Sequence, residues 1–388
     1  MTVHLVYVNE PSIGTHHSIA REVAERLRNH YKVEVHHPND PITVRPEPGD
    51  VLIGHPNRYG VCAFRRSFGQ PGWRRRIVFA PFSVGMLEDA AAIDDLVCEA
   101  DVSLAVTGQY WLDALPDSLV SHWGYKMMRC DLGVNRQHYP QVKSRFRAAG
   151  QRRFLYIGSS IEMKGGDFLA ALADANPDIH VGWISTGDTR HCLDFVSEPS
   201  TRRLGERMRS SRLAEYRYVR WRSAEGMRLV STFDFILICG RSDALPCEAL
   251  ECASYGLVPV TTPQCGFPED DWMTHLPLDD VEGGSAVLRR LSGCPEEELI
   301  ARQTAGFRLL ESRYNWDCVA RQVRDAIESP IAAPPDDPSW RSRREANQRR
   351  LRSIRRRHNW SSARDIAVHR VKQISGRLAR RMNRLAGR

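Results

Sequence analysis

The stretch from Phe235 to Val260 constrains the fold more than any other. Phe235-Ile236-Leu237-Ile238 is a short apolar run, the pattern of a strand buried on both faces. Gly240 interrupts it, Pro246 suits the first turn of a helix, and Gly256 suits a helix end. Val258-Pro259-Val260 then opens a further strand. Strand, helix and strand in so few residues imply a parallel α/β layer structure. The loop before Pro246 therefore lies at the carboxyl end of a strand, where open α/β sheets bind ligands. Asp243 stands in that loop and Glu251 about two helical turns beyond it. Two acids so placed can hold two parts of one long polar ligand.

The same alternation runs through the chain. Residues 3–8, 33–35, 50–54 and 76–80 read as strands, and 11–15 as a loop. Residues 18–29 carry Ile19, Val23, Ala24 and Leu27 at helical spacing. A first unit ends near 127–135, and the basic, Pro140-containing segment 136–153 suits a linker. A second series opens at 154–158 and continues with a helix at 166–175, whose Phe168, Leu169, Leu172 and Ala173 share one face. Residues 180–184 and 215–219 read as strands, and 295–329 as a late helical stretch. A chain of 388 residues exceeds one comfortable core. The expectation is α/β with two Rossmann-like domains facing a cleft, at 1–140 and 141–329. A Pro-rich hinge at 330–340 and a basic tail at 341–388 would follow.

Composition narrows the class. A 42% hydrophobic fraction with 26% charged residues is that of a soluble globular protein. No apolar run approaches the roughly 20 residues of a membrane-spanning helix. The N-terminus lacks a basic flank and reads as a first strand, not a signal peptide, which points to the cytoplasm. The ten cysteines show no close CxxC pairs and read as reduced thiols, with Cys247, Cys252 and Cys265 as packing residues. The net charge of +8 is concentrated in residues 341–388, where arginines face only Glu345 and Asp365, so the body is mildly acidic. There Ala367, Val371, Ile374, Leu378, Met382 and Leu385 form an apolar stripe flanked by arginine, a basic amphipathic helix.

Gly158-Ser159-Ser160-Ile161-Glu162-Met163-Lys164-Gly165-Gly166 follows a strand and precedes a helix. Free N–H groups at a helix start, the helix dipole and a lysine suit a diphosphate. Together with the Asp243–Val260 stretch, this segment resembles the retaining glycosyltransferases of the GT-B class, particularly family 4. Those enzymes carry a strand, a glycine and Lys-Gly six residues on, then an E-x7-E stretch. Leu250-Glu251-Cys252-Ala253-Ser254-Tyr255-Gly256-Leu257-Val258-Pro259-Val260 matches the second half of that stretch, and Asp243 falls where its first glutamate belongs. Cys130-Asp131-Leu132-Gly133-Val134-Asn135-Arg136-Gln137-His138-Tyr139-Pro140 resembles the family's interdomain segment. Tyr314-Asn315-Trp316 resembles its closing-helix motif. Ser159 stands where the family often has arginine, Cys239-Gly240 replaces Pro-Ser, and the histidine often found after the fourth strand is absent near Ala80-Pro81-Phe82-Ser83.

The resemblance implies a hexosyltransferase-type enzyme that moves a sugar from a nucleotide-diphosphate donor with retention, by front-side attack. The acceptor would be lipid-linked or a polysaccharide, as in cell-envelope synthesis. Lys164 would neutralise the diphosphate, Asp243 hold the transferred sugar and Glu251 accept from the ribose hydroxyls. Gly14, Gly158, Ser159 and the backbone at Ala244, Leu245 and Pro246 would line the donor site, with Arg241 replacing the missing arginine. No metal and no cofactor are expected. Glu248 reads as an exposed helix position, and His16 and His17 as loop or N-cap residues. For the tail, an anionic membrane surface ranks first, packing on the acidic body or disorder second and nucleic acid last. The alternatives are a sugar-nucleotide epimerase or hydrolase on the same fold, and a catalytically inactive glycosyltransferase-like binding protein.

Overall fold

Short runs of Val, Ile, Leu and Phe supply most of the strands of two sheets. In the first sheet these are β1 (Thr2–Val6), β2 (Lys32–His36), β3 (Val51–Gly54), β4 (Arg75–Pro81), β5 (Val102–Val106) and β6 (Met127–Cys130). The second holds β7 (Arg153–Gly158), β8 (His180–Ser185), β9 (Ala214–Tyr216), β10 (Phe235–Ile238), β11 (Val258–Thr261) and β12 (Thr274–His275). Their orders are β2-β1-β3-β4-β5-β6 and β12-β11-β10-β7-β8-β9, and every pairing is parallel. β3, β10 and β11 are buried at every position, as parallel strands covered on both faces must be. The α/β expectation of two Rossmann-like sheets holds.

The molecule is known from a computed structural model, which describes residues 1–7, 14–38, 40, 42–56, 61–83, 90–114, 123–160, 162–185, 199–217, 219–220 and 222–332. The segment 8–13, the hinge beyond residue 332 and the basic tail lie outside them. Among the described residues no helix is long and apolar enough to cross a membrane.

The first sheet carries helices α1 (Gly14–Leu27), α2 (Val61–Phe68), α3 (Ala90–Glu99) and α4 (Gln109–Asp113). The second carries α5 (Gly166–Ala175), α6 (Pro199–Arg209), α7 (Ala224–Ser231), α8 (Cys247–Tyr255), α9 (Val281–Ser292) and α10 (Glu296–Ser312), and α11 (Trp316–Glu328) follows. α1 begins four residues before the expected start, so His16 and His17 belong to the helix and not to a loop or N-cap. α8 starts one residue after Pro246, which is its N-cap, and ends at Gly256 with φ 102°. There a side chain would meet the Lys143 carbonyl at 2.6 Å, so glycine is required for space as well as for φ. The late helical stretch is two helices, broken at Tyr314 and restarted by Asn315, whose side-chain oxygen accepts the Cys318 N–H at 2.9 Å.

The chain passes between the sheets twice. On the outward pass, Val142 and Lys143 give their N–H groups to the Tyr255 carbonyl. Lys143 then buries its ammonium 3.0 Å from Asp234, which also accepts the Arg147 and Arg153 N–H groups at 3.0 and 2.8 Å. Burial holds Lys143 below the ordinary lysine range, with Asp234 opposing it. The return leads into α11, which packs on α1 and on β4, β5 and β6. One apolar cluster accordingly joins Val3, Leu5 and Ile19 to Trp316 and Val323 and onward to Leu250 and Tyr255.

Replacing Asp234 by alanine leaves the buried Lys143 ammonium with the Ser231 carbonyl at 3.4 Å and with Arg147 and Arg152 acting against its charge. Asp234→Ala is expected to cost about 3–5 kcal/mol, read as a lowered urea midpoint. An unchanged midpoint would show that this ion pair does not anchor the linker.

Candidate active site

In the second sheet the chain leaves β7 towards β8 on one side and β10 towards β11 on the other. β7 and β10 thus flank the topological switch point, where the loops beyond two adjacent strands diverge and leave a crevice. The loop after β7 carries Gly158 to Gly166, and the loop after β10 carries Cys239 to Pro246. They are packed backbone to backbone. Gly165 has φ 70°, and a side chain there would lie 1.9 Å from the Cys239 carbonyl oxygen. Arg241 and Ser242 donate their N–H groups to the Met163 carbonyl at 2.9 and 3.3 Å. This contact sets Lys164, at the end of a single 3₁₀ turn, in an ion pair with Asp243.

The Asp243 loop stores backbone strain. Leu245 sits at φ 53°, a region that leucine rarely adopts and that costs on the order of 1–3 kcal/mol. Its N–H donates to the Cys265 carbonyl at 3.0 Å and its side chain is buried, so packing holds the conformation. Asp243 and Ala244 are turned out of the core just before it, Ala244 half-buried and Pro246 buried. A side chain at Gly158 would strike the Tyr156 hydroxyl at 2.6 Å, and that hydroxyl donates to the Ser159 carbonyl at 3.0 Å. Gly14 opens α1, and its surroundings lie outside the described residues.

Burial alone would favour a neutral Lys164, but the Asp243 and Glu248 carboxylates outweigh it and hold the ammonium above its ordinary range. Burial and Glu248 push Asp243 up, against the pull of Lys164. Glu248 is therefore not the exposed position expected from sequence. It is half-buried, and its charge acts on Lys164, Asp243 and Glu251. Both members of the ion pair still reach solvent, at 22% and 17% side-chain exposure.

Glu251 is 6% exposed and receives Arg222 Nη2 on Oε1 at 2.8 Å. Its Oε2 is buried with no hydrogen-bond partner among the described residues. Burial raises its pKa to about 7, with Arg222 and Tyr139 drawing it back. The Arg222 guanidinium lies over the Tyr139 ring, 5.6 Å from its centre. Glu251, Cys247 and Arg222 line a small open cleft whose other wall includes Arg21 and Glu22 of α1, Asn135 and Trp316. Lys164 and Asp243 do not line it; they lie at the head of the same helix.

Arg241 has its guanidinium on the Asp167 carboxylate at 2.6 and 3.1 Å and on Asp279 as well. Burial pushes Asp167 up, but Arg241 and the N–H groups of Phe168 and Asp167 outweigh it and keep the carboxyl low. The start of α5, expected to offer free N–H groups to a phosphate, thus already faces a carboxylate. The thiols of Cys239, Cys252 and Cys265 are pushed up by burial, Cys265 to about 12, so they are poor nucleophiles.

The two sheets meet beside this site. Ser83, beyond β4, places its Oγ 3.1 Å from that of Ser242. Trp111 Nε1 donates to the Gln264 carbonyl at 2.8 Å. A side chain on Gly108 would fall 1.4 Å from the Gly266 carbonyl oxygen. Sequence reading missed Ser83, Arg222 and Asp167. None was given a role there, although Ser83 ends the quoted Ala80-Pro81-Phe82-Ser83 stretch and Tyr139 lies in the quoted interdomain segment.

No protein-family model matches the sequence, and a comparison with curated proteins finds no relative. Solved structures do match. A sucrose-phosphate synthase from Thermosynechococcus elongatus superposes with TM-score 0.61 at 13% identity, over 84% of this chain and 98% of that one. HepE of Anabaena, solved with UDP and glucose, gives TM-score 0.57 at 10% identity, over 85% and 99%. WaaG, a glycosyltransferase involved in lipopolysaccharide biosynthesis, gives 0.54 at 13% identity, over 85% and 100%. Likeness at such identities speaks to architecture alone, here the two six-stranded parallel sheets. This chain has the GT-B glycosyltransferase fold.

Proposed function

We propose that the chain is a glycosyltransferase that takes a sugar from a nucleotide-diphosphate donor with retention, and passes it to a lipid-linked or polysaccharide acceptor. One observation carries the reading: a lysine held charged at the switch point pairs with Asp243, just ahead of α8, whose buried Glu251 keeps one oxygen unpartnered. In this reading Lys164 leaves Asp243 for the diphosphate and stabilises the charge that grows on the departing nucleotide. Asp243, so released, accepts from hydroxyls of the sugar. Glu251 Oε2 accepts from the ribose hydroxyls, which supply the missing hydrogen bonds. The backbone of Ala244, Leu245 and Pro246, with Gly14, Gly158 and Ser159, closes round the donor. Arg241 can join only by leaving Asp167 and Asp279, so Lys164 is the main diphosphate ligand. Retention and front-side attack rest on the family resemblance. HepE, solved with UDP and glucose, favours a nucleotide-sugar donor, and WaaG, involved in lipopolysaccharide biosynthesis, favours an envelope acceptor. The basic tail would then hold the enzyme at an anionic membrane face.

A panel of nucleotides and nucleotide sugars at millimolar concentration should raise the melting temperature of the intact chain for at least one nucleoside diphosphate. No stabilisation by any member would sink the donor reading. Lys164→Ala should abolish that shift and lower kcat/KM by about 10²–10³-fold. An equal shift in the variant would move the diphosphate elsewhere.

Glu251 also makes a pH prediction. Its pKa is raised from 4.5 to about 7, so between those values the folded chain binds a proton that the unfolded chain has lost. The stability tied to this proton is full below 4.5 and is lost as pH rises through 7. Glu251→Gln removes the slope. Its stability relative to the parent should rise by about 3 kcal/mol across this window, measured by urea unfolding at a series of pH values.

A further inference from the structure

The edge of the first sheet carries a second cluster that the transfer reaction does not use. His4 on β1 lies opposite Glu34 on the edge strand β2, and His36 is two residues further along β2. Alternation in a strand puts all three on one face. His4 Nδ1 is 3.1 Å from His36 Nε2 and 3.6 Å from Glu34 Oε2. One donor atom from each residue falls within 4.8 Å of the other two. We propose that this edge is a binding site for a divalent transition metal of zinc type, with His4, Glu34 and His36 as ligands and water in the fourth position.

The geometry is close to what such an ion needs. Tetrahedral zinc with bonds of about 2.0–2.1 Å sets neighbouring ligand atoms roughly 3.3–3.4 Å apart. The two ring nitrogens must part by a few tenths of an ångström and Glu34 Oε2 must close on His4 Nδ1 by about as much, while the three ligand atoms already lie within 4.8 Å of one another. The ring planes are 17° apart with centroids at 5.4 Å and the two nitrogens share a hydrogen bond, so an ion that displaces its proton would bind once both rings tilt towards it. The opposite nitrogen of His4, Nε2, is 3.4 Å from Asp50 Oδ2. Asp50 is itself fixed by the N–H groups of Thr2 at 2.7 Å and Glu47 at 2.9 Å. A carboxylate behind a histidine, set by the backbone, is the support that orients a metal-binding imidazole. Trp73 presents its ring edge-on to His4 at 5.6 Å and restrains the ring further. Lys32 Nζ binds Glu34 Oε1 at 2.7 Å, which leaves Oε2 for the ion. Three ligands from two strands would staple β2, which pairs only with β1, to the sheet. The role is structural, independent of the donor site and of the function proposed above.

The test is a Co²⁺ titration of the full chain after chelator treatment, followed by visible absorption. Expected is one equivalent of Co²⁺ in low-coordinate geometry, displaced by Zn²⁺, with a higher melting temperature in Zn²⁺. His36→Gln and Glu34→Gln, both at partly exposed positions, should each weaken binding tenfold or more while leaving circular dichroism unchanged. Asp50→Asn should weaken it about ten- to a hundredfold. Absence of Co²⁺ binding to the parent chain, or binding that both Gln variants leave unchanged, would overturn the site.

Discussion

The site depends on how closely the two chain crossings approach one another. On the outward crossing, Gly133 lies so near the return that a side chain would sit 2.7 Å from both the Asn315 carbonyl carbon and the Trp316 nitrogen. Val134 donates its N–H to the Tyr314 carbonyl at 3.0 Å. Just before this joint in both segments, Asp131 receives the Arg313 guanidinium at 2.9 and 3.0 Å. Two segments far apart in sequence are thereby locked side by side, and α11 is delivered to the first sheet. This joint fixes which strand ends of one sheet face those of the other, and so brings Ser83 to Ser242.

Within the second sheet, the site is an electrostatic compromise. Three carboxylates, Asp243, Glu248 and Glu251, crowd the first turns of α8, and Lys164 and Arg222 are the cations set against them. Acids at a helix N-terminus suit its dipole, which helps the crowding persist. Partial burial makes each charge more costly and each pairing stronger than in water. The strained Leu245 is part of the same bargain, because the turn that buries it turns Asp243 outward. Arg241 and Asp167 show the opposite outcome, an arginine committed to a carboxylate in the first turn of α5.

Much of this was legible in residue order. The apolar runs marked the strands, Gly256 marked the end of α8, and the spacing from Gly158 to Lys164 placed the lysine just before a helix. Asp243 and Glu251 were legible because one stands in the loop just before α8 and the other within that short helix, whose ends the sequence marks. Glu248 was misread, since helical periodicity shows which face a residue shares but not that another loop covers it. His16 and His17 were misread because α1 starts with neither a capping side chain nor a proline. Arg222 and Ser83 were invisible for a simpler reason: each meets the site through a loop whose path no local pattern records.

Sequence alone determined what depends on neighbours in the chain: parallel α/β units, their helix ends, the acids of α8 and the lysine before α5. It also placed the excess positive charge in the final residues. Tertiary structure alone decided which charges meet. Lys164 pairs with Asp243 because Gly165 lets one loop touch the carbonyl of another, and Glu251 titrates near neutrality because neighbours from both sheets enclose it. The physical reason is that burial and Coulomb pairing act through space, and their strength is set by the distances that folding creates.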